Sequence, residues 1–244
     1  MAQNTLPSGI HELLGLAARL LAGRETHGPW LGLGTAEEFA AALAALRTAE
    51  SALAAARVRK AEAGRRSAAA DAALTGWLAR ARLVLMLALG SGWSERWSEA
   101  GFTRHGTNVP KRLGARLELG RRVAEYFEKH PEYAVPFAAV TADAGHAAYA
   151  ALTAATHAQR ATAGIASERK CARDAAEKHL RWKMRGTVLL LSVALSPGDP
   201  RWLAFGLNVP RPGAPAPRRR GFAPPPAEMV RLAPAPAVPW QAVA

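Results

Sequence analysis

Cysteine, tyrosine and the chemical signatures of common enzymes are scarce in this chain, and each scarcity excludes something. A single cysteine, Cys171, in 244 residues rules out an intramolecular disulfide and any multi-cysteine zinc site. Its expected place is that of a small apolar filler on a helix. Aromatic residues make up 7% of the chain, and β-branched residues are sparse, which argues against a strand-rich body. There is no Walker A loop, no G-x-G-x-x-G after a strand and no H-E-x-x-H. A G-x-S-x-G elbow is also missing. The seven histidines (His11, His27, His105, His130, His146, His157, His179) form no tight ligand spacing. His146 and His157 share a helix face but stand three turns apart, too far for one ion. No catalytic, metal-ligating or cofactor-binding residue is read, and the expectation is a non-enzyme without a cofactor.

Long apolar runs are missing as well. LVLMLAL (83–89) and TVLLLSVAL (187–195) are far shorter than the ~20 residues a bilayer span requires, so they are expected to be buried helix segments. The N-terminus has no basic n-region, and Arg19 interrupts its apolar stretch, so no export signal is recognised. The expected location is the cytoplasm, with no transmembrane segment.

What is abundant is Ala, Leu, Arg and Glu, the strong helix formers. The expected fold class is all-α. The formal charge is +13, from 32 basic and 19 acidic residues. Such a balance suits a nucleic-acid or polyanion partner. It also suits arginines spread over solvated helix faces, which is the preferred reading. Residues 211–244 carry five arginines against Glu228, or +4, leaving +9 on the body.

The chain reads as a duplication. At a shift of 103, Ile10 falls on Leu113, His27 on His130, Trp30 on Tyr133, Asp71 on Asp174 and Arg82 on Arg185. Arg96-Trp97 and Arg201-Trp202 follow at 105, and Asn108-Val109-Pro110 and Asn208-Val209-Pro210 at 100. The expected units are 1–110 and 111–210, packed together as one body, followed by a flexible Pro/Arg-rich tail at 211–244. Each unit has a shorter helix (8–23, 111–129), a His-containing turn, and a long helical region (about 35–90, 138–195). His27 and His130 are expected to cap the preceding helix ends. Thr35 before Ala36-Glu37-Glu38 looks like an N-cap, and Thr141 is a weaker echo. Phe39, Leu43, Leu46 and Leu53 form one helical stripe, continued by Leu74, Trp77, Ala81 and Val84. Ala176, Leu180, Met184, Val188, Leu191 and Leu195 form another.

Both long regions contain Ala-Gly-x-x-Ser, at 63–67 and 163–167. Gly after one helix and Ser before the next suit a tight turn. The preferred architecture is therefore an antiparallel bundle of four long helices in two hairpins, plus two shorter helices. Two very long helices are the alternative, because a lone glycine inside a helix costs only ~1 kcal/mol.

The repeated DPRWLAFGLNVP stretch has a physical reading. Asp199 is a good N-cap and Pro200 suits the first helical position. Trp202 and Phe205, three apart, share a face, and Gly206 ends the turn. In the earlier copy Ser94 caps, Trp97 points inward, Gly101 terminates and Phe102 supplies the second ring. Each copy is expected to be an aromatic plug worth ~1.5–3 kcal/mol per buried ring. The competing reading is an aromatic cage with Arg96 and Arg201 beside the rings.

GWSERWSEAGF, CARDAAEKHLRWKMR (171–185) and DPRWLAFGLNVP together resemble a family of uncharacterised bacterial proteins over most of residues 35–212. The resemblance implies a duplicated helical region, followed in many members by a fibronectin type III-like domain that has no counterpart read here. It implies no activity. Ten of the chain's seventeen prolines lie from Pro210 onward, so an extended linker or a Pro-rich ligand for an aromatic groove is expected there. Arg218, Arg219 and Arg220 are the candidate polyanion contacts. The functional expectation is a non-catalytic structural or protein-interaction bundle of unknown partner and oligomeric state. Nucleic-acid or polyanion binding is the alternative.

Overall fold

A computed structural model describes residues 4–27, 35–103 and 106–210. The described chain is mostly helical. The elements in order are α1 (Ile10–His27), α2 (Ala36–Leu89), α3 (Glu95–Glu99), α4 (Leu113–Lys129), α5 (Ala142–Ala194) and α6 (Arg201–Ala204). Two 3₁₀ turns, Pro131–Tyr133 and Pro136–Ala138, separate α4 from α5. Among the described residues there is no strand, only an isolated bridge between Val135 and Val140.

Both long regions are single helices, of 54 and 53 residues. The hairpin arrangement preferred from sequence is thus replaced by its alternative. Gly64 and Gly164 lie inside α2 and α5, and a Cβ at either position would meet nothing within 4 Å. Neither glycine takes a positive φ. The physical reason is balance: one exposed glycine costs ~1 kcal/mol, while an interrupted helix leaves up to eight backbone groups without intrahelical partners.

The threonines start these helices as expected. Thr35 Oγ1 accepts the Glu38 N–H at 3.2 Å, and Thr141 Oγ1 accepts the Ala144 N–H at 3.2 Å. Each satisfies one of the donors left open at a helix N-terminus. At the other end of α2, Gly90 takes φ 91° and donates its N–H to the Met86 carbonyl at 3.1 Å.

The described residues divide into two compact units. The first draws on Met1–Ala54 and Glu168–Ala244, the second on Ala55–Ser167. This partition differs from the sequence boundary at 110/111, because it cuts through the middle of both long helices. In the first unit Leu13, Leu16, Ala17 and Leu20 of α1 share a core with Phe39, Leu43, Leu46, Leu180, Met184, Leu191, Trp202 and Phe205. In the second, Leu74, Trp77, Leu78, Ala81 and Leu85 share one with Trp97, Phe102, Leu119, Val123, Phe127 and Leu152. The two stripes read from sequence are therefore core-facing, with Val84, Ala176 and Val188 partly buried at their margins.

Close packing sets the approach of helices in the second unit. The Gly145 Cα faces Trp77, and an added Cβ there would meet the indole and lie 2.9 Å from the Ala124 Cβ. Ion pairs add local order. Arg116 forks onto both carboxylate oxygens of Asp71, at 2.8 and 2.6 Å, and its Nη1 donates to the Pro110 carbonyl at 3.0 Å. In the first unit Lys183 pairs with Glu38 at 2.7 Å, and Arg173 lies 3.7 Å from Glu50. The exposed pairs are worth only ~0–1 kcal/mol each.

Two sequence expectations are corrected. Cys171 is exposed rather than an apolar filler. The runs 83–89 and 187–195 are only half buried. Leu85 and Leu191 face the cores, while Leu87 is 91% and Val193 81% exposed. A run of apolar residues on a helix necessarily covers all its faces, and only one faces the core. By length and composition α2 also contains an 18-residue window of mean hydropathy 1.5 with no more than two charges, of which 28% is buried. Soluble core helices meet the same criterion, and Leu74, Trp77, Leu78, Ala81 and Leu85 of α2 do serve as core.

Gly64→Ala and Gly164→Ala are expected to stabilise the protein by about 0.5–1 kcal/mol each, because alanine restores helix propensity. Gly145→Ala is expected to destabilise by about 1–3 kcal/mol through overpacking. Urea unfolding followed by circular dichroism checks all three. Destabilisation by the first two would contradict uninterrupted helices.

Candidate functional site

A Trp-bearing turn follows each long helix, α3 after α2 and α6 after α5. In the second unit, Trp97 N–H donates to the Ser94 carbonyl at 3.0 Å and Phe102 N–H to the Trp97 carbonyl at 3.0 Å. In the first unit, Trp202 N–H donates to the Asp199 carbonyl at 3.3 Å and Leu207 N–H to the Trp202 carbonyl at 3.1 Å. Both indoles are buried, at 0% and 2% exposure. Their Nε1 atoms donate back toward the end of the preceding long helix: Trp97 to the Gly90 carbonyl at 3.2 Å, Trp202 to the Ser196 carbonyl at 3.3 Å. A buried indole N–H without such a partner costs desolvation energy.

Each turn closes on a glycine with positive φ, 94° at Gly101 and 70° at Gly206. Each glycine lies against an arginine stem of the unit's shorter helix. An added Cβ at Gly206 would lie 2.8 Å from Arg19 Cδ, and one at Gly101 would lie 3.0 Å from Arg122 Cδ. Glycine is needed twice over here, for its φ and for the close approach. The aromatic partners differ between the two turns. Phe102 packs edge-on against Trp97, with centroids 5.0 Å apart at 84°. Phe205 instead packs on the α1 backbone, where a Cβ added to Gly23 would lie 2.5 Å from its Cδ1. It also packs at 5.7 Å from the His27 ring.

The starts of the turns also differ. Asp199 Oδ1 accepts the Arg201 N–H at 2.9 Å, while Pro200 takes helical angles (φ −64°, ψ −18°). The Arg201 guanidinium forks onto the same carboxylate and, with that backbone bond, holds the Asp199 carboxyl below its usual range. Ser94, expected to cap in the same way, does not. Its Oγ is buried and makes no hydrogen bond among the described residues. Its carbonyl, not its hydroxyl, receives the Trp97 N–H.

The histidines at the ends of α1 and α4 lie beside aromatic rings. The His130 ring lies 4.4 Å from that of Tyr126, tilted by 36°, and its Nδ1 lies 3.1 Å from Glu132 Oε1. His130 is the C-cap residue of α4, its backbone N–H on the Tyr126 carbonyl at 2.9 Å, and His27 is the last residue of α1. His146 Nε2 lies 3.6 Å from Glu128. Among the described residues no three His, Cys, Asp or Glu side chains gather to hold a metal ion. Trp30, His105 and the candidate contacts Arg218, Arg219 and Arg220 lie outside the described residues.

Sequence reasoning missed the grooves that flank the turns. In the first unit a groove of about 610 Å³ runs between the turn and α1, lined by Asn4, His11, Glu12, Arg19, Gly206 and Asn208. In the second a smaller one, about 170 Å³, is lined by Phe102, Asn108, Glu118 and Arg122 among others. Their arginines belong to the same pairs that seat the glycines, which is the signal a sequence reader has available. Asn4 ties the N-terminal segment to the first groove: its Nδ2 donates to the Asn208 carbonyl at 2.9 Å and its Oδ1 accepts the Asn208 N–H at 2.8 Å. In the second groove, hydrogen bonds from Arg121 and Arg122 hold the Glu118 carboxyl down at about 2.

No protein-family model, curated protein or solved structure matches this chain.

Ser94→Ala is expected to be neutral or stabilising by up to about 1 kcal/mol, since it removes a buried hydroxyl that makes no bond. Asp199→Ala is expected to cost about 0.5–2 kcal/mol through the lost cap. Thermal unfolding of the two variants checks the contrast. The Glu118 carboxyl is lowered in the folded state, so its contribution is present above about 4.5 and is lost as pH falls toward about 2. Glu118→Gln is expected to lower the Tm at neutral pH and to match the parent near pH 2. An equal difference at both pH values would contradict the assignment.

Proposed function

We propose that the chain is a non-catalytic protein-interaction module built from a fused duplication, with its long helices running antiparallel. Four kinds of correspondence support the duplication. Buried positions recur at a shift of 103: Ala42 and Gly145, Leu53 and Thr156, Trp77 and Leu180, Ala81 and Met184. Arg19 and Arg122 stand at the same shift and seat the two glycines of the closing turns. Those turns repeat the same backbone bonds and the same indole bond. Thr35 and Thr141 cap the long helices in the same way. In the first unit, Glu38 meets Lys183 and Glu50 approaches Arg173. Rising numbers on α2 meet falling numbers on α5, which is the antiparallel sense.

Each compact unit then combines the opening helix of one repeat with the closing turn of the other. The first holds α1 and α6; the second holds α4 and α3. The repeats complete each other, so neither unit has a core without both. This reciprocity explains why the spatial partition cuts each long helix near its middle.

The interaction reading rests on one observation. Large aliphatic side chains stand in water at matched places near the ends of the long helices: Leu83 and Leu87 on α2, Leu189 and Val193 on α5. Each pair is spaced i, i+4 and so presents one small apolar face. Exposed aliphatic side chains grouped in this way mark contact surfaces more often than reaction sites. The grooves beside the turns favour the same reading. Among the described residues no hydrogen bond joins His11, Glu12 or Thr5 to one another, so no nucleophile is seated on a base.

Affinity capture with the full chain, compared with a Leu87→Glu/Val193→Glu variant, tests the reading. The expected result is a protein retained saturably by the parent and reduced at least about tenfold by the variant, which corresponds to ~1.4 kcal/mol. Equal retention by both would contradict it, as would turnover of a bound small molecule by the parent.

A further inference from the structure

We propose that the exposed stretch of α2 from Arg57 to Arg66, in the second unit, binds the phosphate backbone of nucleic acid without regard to sequence. The inference is independent of the interaction-module reading and goes beyond it. Arg57, Arg59, Lys60, Arg65 and Arg66 are all exposed, and Glu62 is the one carboxylate among them. Five cations minus one carboxylate leave +4 on ten residues. Among the described residues none of the five has an ion-pair partner. What sets the stretch apart is the density of such cations, five within ten residues of one helix. Unpaired, solvated cations are the ones free to exchange counterions for phosphates.

The geometry suits a polyphosphate strand. At 1.5 Å rise per residue the stretch spans about 13 Å, the length of several phosphates along one strand. Ala56, Ala63 and Ser67 turn inward, so the cations occupy the remaining circumference rather than one plane. An anionic membrane surface is the competing partner, but it requires a free apolar face to insert. Here the small apolar side of the stretch is buried, and Val58 is its only large exposed apolar residue. No Asn, Gln or aromatic side chain lies in 57–66 to read adenine edges or stack on bases. Backbone contact without sequence preference follows.

The test is fluorescence anisotropy of the full chain with a short mixed-sequence DNA duplex, between roughly 50 and 200 mM salt. The site variant is Arg57→Gln/Arg59→Gln/Lys60→Gln. Glutamine keeps helix propensity at exposed positions, and circular dichroism confirms retained helix. The comparison variant is Arg218→Gln/Arg219→Gln/Arg220→Gln. The proposal expects salt-dependent binding by the parent. It expects at least about tenfold weaker binding at low salt for the site variant, with a log–log salt slope reduced by about 2–3. It also expects the parent's slope to be kept by the comparison variant. Three results would overturn it: a site variant that binds like the parent, binding lost only in the comparison variant, or a parent that ignores duplex while co-sedimenting with phosphatidylglycerol vesicles.

Discussion

The indole of each closing turn, bonded back to the end of a long helix, is the constraint on which the rest depends. Trp97 and Trp202 fill the end of a core, and each places its one polar atom on a carbonyl just past the end of a long helix. The same turn places a glycine against an arginine stem. That contact fixes the shorter helix against the end of the long one. Removing the ring would open a void, which for core truncations of Trp costs about 3–5 kcal/mol. The turns therefore act as stoppers, and the apolar stripes of α2 and α5 are useful only because something closes their ends.

Reciprocity between the proposed repeats gives the stoppers a second consequence. The turn after α2 closes on α4, and the turn after α5 closes on α1. The first core thus joins residues near both ends of the chain, Leu13 to Leu46 with Leu180 to Leu207, and rests on long-range contacts. Such a topology forms its non-local contacts late and at an entropic cost. It also makes the length of the long helices a structural requirement, since each must supply residues to both cores.

Much of this was legible in the residues. The threonine caps, the apolar stripes, the inward tryptophans and the glycine stops follow from local chemistry, and local chemistry is what a sequence displays. The continuity of α2 and α5 was not legible, because Gly64 and Gly164 are equally good as helix stops and as tolerated helix residues; the ~1 kcal/mol between these states is smaller than the tertiary terms that decide. Ser94 holds the N-cap position of α3, but its hydroxyl makes no cap bond. The apolar runs misled because composition does not say which face of a helix meets the core, and Cys171 misled for the same reason. The grooves were missed because they are made where Arg19 meets Gly206 and Arg122 meets Gly101; the matched spacing of the two arginines marks them, but which glycine each meets is set by the fold.

Hydrogen exchange of the two indole N–H groups in the intact chain tests the stopper account most directly. The account predicts that Trp97 and Trp202 Nε1–H are both strongly protected, near the level of the core amides of α2 and α5. Rapid exchange at either indole, at the rate of a solvated tryptophan, would contradict it.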